Sequence, residues 1–118
     1  IIIDFPPGTG DIMLDIRDFV KNPKMLLITT PHPASASVAT KAGIAAKKME
    51  QEIIGIIENM SYFQDEESNK KHYIFGKNGG IEAASSLGVE LLAQIPIEVP
   101  KHHTCLYELT EESGKIYK

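Results

Sequence analysis

Apolar residues in this chain fall in short unbroken runs, separated by stretches with helical periodicity. IIID opens the chain, MLLITT covers 25–30, IIGIIE covers 53–58 and LLAQI covers 91–95. Runs of this kind, rich in branched residues and lacking polar alternation, read as strands buried on both faces, as in parallel sheets. Between the first two runs, Ile12, Ile16, Phe19 and Val20 share one helical face. Asp11 is placed to cap that helix and Asn22-Pro23 to stop it. A second helix is expected from Ser35 or Ser37, with Val38, Ala42, Ala45 and Met49 inward and Lys47 and Lys48 near its C-terminus. A third, short helix enters at Gly79-Gly80 and closes on Gly88 as a left-handed terminal residue. Strand and helix alternate, which predicts an α/β fold on a parallel sheet with right-handed crossovers.

One stretch breaks the rhythm. Between Tyr62 and Gly80, two aromatic-bearing arms (Tyr62-Phe63 and His72 to Phe75) flank the polar turn QDEESNKK, which predicts a small hairpin excursion from the sheet. Residues 101–118 read as mixed helix and coil. Because the first residues already look like a buried strand, further sheet is expected upstream of Ile1.

Composition narrows the class of function. With 118 residues the chain is one domain or part of one. Its 42% hydrophobic and 24% charged residues are ordinary globular values and argue against disorder. A net charge of −4 provides no basic field for nucleic acid or an anionic membrane. No apolar run is long enough to span a bilayer. Cys105 is the single cysteine, which excludes an internal disulfide framework and fits a reducing, cytoplasmic compartment.

The first candidate for chemistry is Asp4. An acid at the C-terminal end of a buried parallel strand lies where open α/β sheets bind ligands, and nucleoside triphosphatases hold Mg²⁺ with such an Asp. Gly8 and Gly10 in the following PPGTGD turn would let backbone N–H groups approach an anion. The same residues equally suit an ordinary strand-to-helix turn. His102-His103-x-Cys105 offers imidazole and thiol but no distant partner pair, and reads as a solvated loop. Asp65-Glu66-Glu67 and Glu111-Glu112 read as solvated surface. No nucleophile elbow or hydrolytic triad is present.

Five motifs in order then carry a family resemblance. They are Asp-x-Pro-Pro-Gly-Thr-Gly-Asp (4–11), Thr-Thr-Pro (29–31), Gly-Ile-Ile-Glu-Asn-Met-Ser-Tyr-Phe (55–63), Ile-Phe-Gly-x-x-Gly-Gly (74–80) and Gln-Ile-Pro-Ile (94–97). Together they closely resemble the Mrp/ApbC family of ATP-binding iron–sulfur cluster carriers, relatives of MinD and ParA. The resemblance implies a partial P-loop NTPase-like fold of the MinD/Mrp type, with 1–118 the C-terminal part of a single domain. It also implies that Asp4 organises the hydration shell of Mg²⁺, that Gly8 senses the γ-phosphate of ATP, and that Pro6 and Pro7 stiffen that loop. Asn59, followed by Met60, looks like the adenine-reading amide, since a carboxamide offers both a donor and an acceptor to a base edge. Read from its residue type alone, Asn59 is a strand-end Asn in an Asx-type turn. Pro96 and its successors resemble the segment flanking the base.

Two departures qualify the resemblance. The family's glycine- and lysine-rich phosphate loop is absent, and no G-x-x-x-x-G-K-[ST] pattern occurs anywhere in the chain. Gly76-Lys77-Asn78-Gly79-Gly80 has the wrong order and reads as a turn before a helix. Many family members also carry a Cys-x-x-Cys pair in the excursion, thought to bridge an iron–sulfur cluster across a homodimer. Here Asp65 and Ser68 occupy those positions, and hard oxygen ligands are poor substitutes for thiolate. The expected function is that of a Mrp-like ATPase whose complete form dimerises and serves iron–sulfur cluster assembly or transfer with an apoprotein or scaffold partner. The alternatives are a MinD/ParA-like nucleotide switch without a cluster, or a non-enzymatic scaffold. The chain alone is expected to be inactive.

Overall fold

Three parallel strands carry the fold, and their C-terminal ends line up along one edge. A computed structural model of the chain describes residues 1–5, 10–65 and 67–98. The elements are α1 (Gly10–Phe19), β1 (Lys24–Thr29), α2 (Pro33–Lys48), β2 (Glu52–Glu58), β3 (Phe63–Gln64), β4 (Lys71–His72), α3 (Gly79–Leu87) and β5 (Leu91–Gln94). The sheet order is β1-β2-β5, with both pairings parallel. Its register places Thr29 beside Glu58 and Glu58 beside Gln94, so all three strands end at one level. The predicted excursion is the antiparallel pair β3–β4, with Phe63 opposite His72.

Both crossover helices pack on one face of the sheet. The core there is Leu27 and Ile56 from the strands against Ala36 of α2 and Ala83, Ala84 and Leu87 of α3. Glycine and alanine set the helix spacing. Gly43 lies against the Leu87 and Leu27 side chains so closely that a Cβ would collide with them. This corrects the expected inner face of α2. Ala36, Ala39, Gly43 and Ala46 are buried, whereas Val38 is 60% exposed and Ala42, Ala45 and Met49 are half-buried flanks. Small residues win the inward positions because the neighbouring helix leaves no room for a branched side chain.

The other sheet face differs from expectation. Leu26, Ile28, Ile54 and Leu92 project from it and are 40–56% exposed, so these strands are covered on one side only among the described residues. The expected opening strand does not form. Residues 1–5 carry no regular structure, and Ile1, Ile2 and Ile3 are exposed. An apolar run becomes a strand only when a neighbour satisfies its backbone groups, and no described residue pairs with it. α1 begins at Gly10, so Asp11 lies inside the helix rather than capping it. Its apolar stripe is weakly buried, with Phe19 87% exposed.

Helix ends supply the remaining corrections. α2 starts at Pro33 rather than at Ser35 or Ser37. His32 caps it, with Nδ1 accepting from the Ala34 N–H at 3.2 Å, and proline fits the first turn because its missing N–H is not needed there. The Lys47 ammonium reaches the Leu87 carbonyl and so ties the last turns of α2 and α3. α3 closes as expected on Gly88, at φ 61°.

Candidate functional site

The C-terminal edge of the sheet is built by backbone bonds that continue past the strands. Asn59 N–H donates to the Thr29 carbonyl at 2.7 Å, and Ile95 N–H donates to the Glu58 carbonyl at 2.8 Å. Ser61 N–H then returns to the Ile95 carbonyl at 2.8 Å, and Ile97 N–H to the Tyr62 carbonyl at 2.7 Å. The two segments that leave β2 and β5 therefore run side by side as far as a bridge between Phe63 and Ile97. This brings the turn of Asn59 and Met60 next to the segment of Ile95 and Pro96. Pro96 is buried and Met60 is 38% exposed in the left-handed region, at φ 53°. Asn59 Oδ1 accepts from the Met60 N–H at 2.9 Å, which is a local turn bond. Its carbonyl oxygen retains a second lone pair, and its amide N–H₂ makes no hydrogen bond among the described residues.

Glu58 lies beneath this edge, 1% exposed. Its Oε1 accepts from Ser61 Oγ at 2.6 Å and from Gln94 Nε2 at 2.8 Å, and its Oε2 accepts from Gly80 N–H at 2.6 Å. The last bond does the work of a helix cap. Asn78, at the N-cap of α3, makes no side-chain bond to the helix, and the orphan N–H of Gly80 is taken by a carboxylate from another strand. In the sequence, Asp4 is the acid that ends an apolar run. The same signal was present at Glu58, which ends IIGIIE and is the acid the structure buries.

A cavity of about 150 Å³ opens beside Glu58 toward the hairpin and α3, lined also by Ser61, Gln94 and Asn78. Tyr62 and Tyr73 stand on its wall with ring centroids 6.4 Å apart. The Lys71 ammonium lies 3.9 Å from the Tyr62 centroid and the Lys77 ammonium 4.1 Å from that of Tyr73. Asn59 and Pro96 do not line this space.

The other expected residues stand apart. Asp4 lies in exposed coil and makes no hydrogen bond among the described residues. Pro7 and Gly8 lie outside the described residues, as do His102, His103 and Cys105. No group of three or more His, Cys, Asp or Glu among the described residues could hold a metal ion. One carboxylate such as Asp4 suits Mg²⁺ only beside nucleotide phosphates, which supply its remaining oxygens. At the hairpin turn, Ser68 Oγ donates to Asp65 Oδ2 at 2.6 Å and Glu67 N–H to Asp65 Oδ1 at 3.1 Å. Those bonds hold the Asp65 carboxyl below its ordinary range, the Ser68 hydroxyl contributing most. Asp65 and Ser68 thus close a turn on each other through hard oxygen atoms, and this donor pair does not fit an iron–sulfur cluster.

A parallel sheet with helical crossovers on one face, whose three strands end level along one edge, defines the chain as an α/β protein. The comparisons with known proteins agree. Residues 1–111 match the family model described as ParA, NUBPL iron-transfer P-loop NTPase. An iron-sulfur cluster carrier protein of Bacillus subtilis is 38% identical over 123 aligned positions, covering 100% of this chain and 35% of that protein. Its counterpart in Methanocaldococcus jannaschii is 43% identical, covering 84% of this chain and 34% of that protein. Among solved structures, a nucleotide-binding protein from Archaeoglobus fulgidus, described in complex with ADP, superposes with a TM-score of 0.62 and 34% identity. The match spans 79% of this chain and 38% of that one. The chain belongs to the NUBPL iron-transfer P-loop NTPase family of the ParA group. It spans about a third of the length of the relatives it matches.

Proposed function

We propose that this chain is the C-terminal part of a Mrp-like P-loop ATPase and forms the base-binding side of its nucleotide site. The observation that carries this reading is the pairing of the Asn59 turn with the Ile95-Pro96 segment along one sheet edge. In the complete protein Asn59 and Met60 would meet the adenine on one side and Pro96 on the other. Asp4 would orient the water shell of Mg²⁺, and Gly8 would offer its N–H to the γ-phosphate. The phosphate loop would come from sequence outside these 118 residues. The complete protein would be a slow ATP hydrolase, a homodimer and cytoplasmic, handling iron–sulfur clusters for an apoprotein or scaffold partner; its Bacillus subtilis relative is named an iron-sulfur cluster carrier protein.

A second reading is favoured by one observation. The Asp65–Ser68 turn offers no thiolate where cluster-bearing relatives are expected to have two. A ParA-like switch that couples nucleotide to a protein partner without a cluster accounts for that. No helix among the described residues is long and apolar enough to cross a membrane.

Calorimetric titration tests the division of the site. The 118-residue chain alone should show no ATP binding at micromolar concentration, whereas the full-length polypeptide should bind ATP with Mg²⁺. Micromolar affinity in the short chain would contradict the split site, and absence of binding in the full-length form would remove the ATPase reading.

A further inference from the structure

Glu58 is a buried acid held by hydrogen bonds from three segments. It is 1% exposed, and no ammonium or guanidinium group among the described residues forms an ion pair with it. Desolvating a carboxylate is costly unless its oxygens are fully used. Here three donors use them, and each belongs to a different segment of the edge. Ser61 closes the turn that carries Asn59. Gln94 is the last residue of β5, two positions before Pro96. Gly80 is in the first turn of α3, the helix that backs both strands. One side chain therefore ties the two walls of the edge to each other and to the helix behind them.

We propose that Glu58 is the positioning residue of the base-binding edge: it fixes the distance between the Asn59 turn and the Pro96 segment and so sets base selectivity. The proposal rests on the base-binding reading above. Its physical content is a constraint on geometry rather than a contact with nucleotide. Without the Gln94 bond the end of β5 is held by backbone bonds alone, and without the Ser61 bond the 59–61 turn loses its side-chain anchor. A small shift of either wall misaligns an amide that reads a base edge through two directed bonds.

The donor types make the test specific. Gly80 N–H can only donate, so an oxygen must face it. Ser61 hydroxyl and Gln94 carboxamide can each donate or accept. A glutamine at 58 can therefore keep its oxygen toward Gly80 while Ser61 and Gln94 turn to accept from its N–H₂. Glu58→Gln should act as a rescue, and Glu58→Leu should not.

The experiment uses the full-length polypeptide and measures displacement of a fluorescent ATP analogue by ATP, GTP and inorganic tripolyphosphate. Ser61→Ala and Gln94→Leu should each weaken ATP by about tenfold, through loss of one bond to the buried Glu58 side chain. They should lower the preference for ATP over GTP and leave tripolyphosphate unchanged. Glu58→Gln should stay within about twofold of the unaltered protein. Because Glu58→Leu can fail to fold, the two single-donor variants carry the decision. If they bind ATP and GTP as the unaltered protein does, or lose tripolyphosphate in equal proportion, the positioning role is overturned. If the unaltered protein binds no adenine nucleotide, the base-binding reading falls and this role with it.

Discussion

Gly80 donates its N–H to Glu58 Oε2 at 2.6 Å, across 22 residues of sequence, and lies so close that a Cβ on it would stand 2.8 Å from Glu58 Cβ. The bond caps α3 and satisfies a buried carboxylate at once. It depends on the helix starting with two residues that have no side chain.

Gly79 makes a separate close approach, to the backbone of Pro31. A Cβ there would meet the Pro31 carbonyl oxygen at 2.5 Å and its Cα at 3.0 Å, and backbone cannot swing aside as a side chain can. Gly79→Ala should cost about 1–3 kcal/mol, the usual range for overpacking. Chemical denaturation checks this, and Gly88→Ala is a useful contrast. Position 88 has open space but φ 61°, so its cost should come from backbone strain alone.

Leu87 is 2% exposed and fills the space between α3, Gly43 of α2 and Leu27 of β1. Leu87→Ala should lower stability by about 2–5 kcal/mol, since the rigid small-residue helix opposite cannot collapse into the cavity. Thermal unfolding monitored by circular dichroism reads it directly.

The hairpin turn gives a prediction in pH. The Asp65 carboxyl is lowered in the folded protein, first by the Ser68 hydroxyl, then by the Glu67 N–H and more weakly by His72. A depressed acid contributes stability above its unfolded pKa and loses it as pH falls through the folded pKa. The turn should therefore stay closed through the ordinary aspartate range near 3.9 and open only below it. An NMR titration of the Glu67 amide should show its midpoint below that value; a midpoint at or above it would contradict the Ser68–Asp65 bond. Ser68→Ala should move the midpoint upward.

Replacing the hard ligands should change metal chemistry. On the cluster-free switch reading, with oxygen donors at 65 and 68, the full-length protein should show no thiolate-to-iron absorption after anaerobic reconstitution. The double variant Asp65→Cys/Ser68→Cys should gain it. Absorption in the unaltered protein would favour the cluster-handling reading, with ligands other than positions 65 and 68, over the cluster-free switch.

Strand and helix order was readable because the apolar runs at 25–30, 53–58 and 91–95 and the Gly88 stop are local signals. What escaped was set by neighbours. The inner face of α2 follows from the shape of α3, so Ala39 and Gly43 displaced the more hydrophobic Val38. The run Ile1–Ile3 has strand composition but no ladder partner among the described residues. Glu58, Ser61, Gln94 and Gly80 are scattered over 37 residues of sequence and meet only because β2 and β5 end at one level. Asn59 was readable as a candidate through the motif around it. Its local bond to Met60 shows that the turn geometry and the open amide coexist.

The central claim is that the ends of β2 and β5 form the base side of a nucleotide site. Photo-crosslinking the full-length protein with azido-adenosine triphosphate, followed by peptide mapping, tests it most directly. Label should fall on the peptides containing Asn59 to Tyr62 or Pro96 and Ile97, and excess ATP should suppress it. Label confined to other peptides, with these two unmodified, would contradict the account.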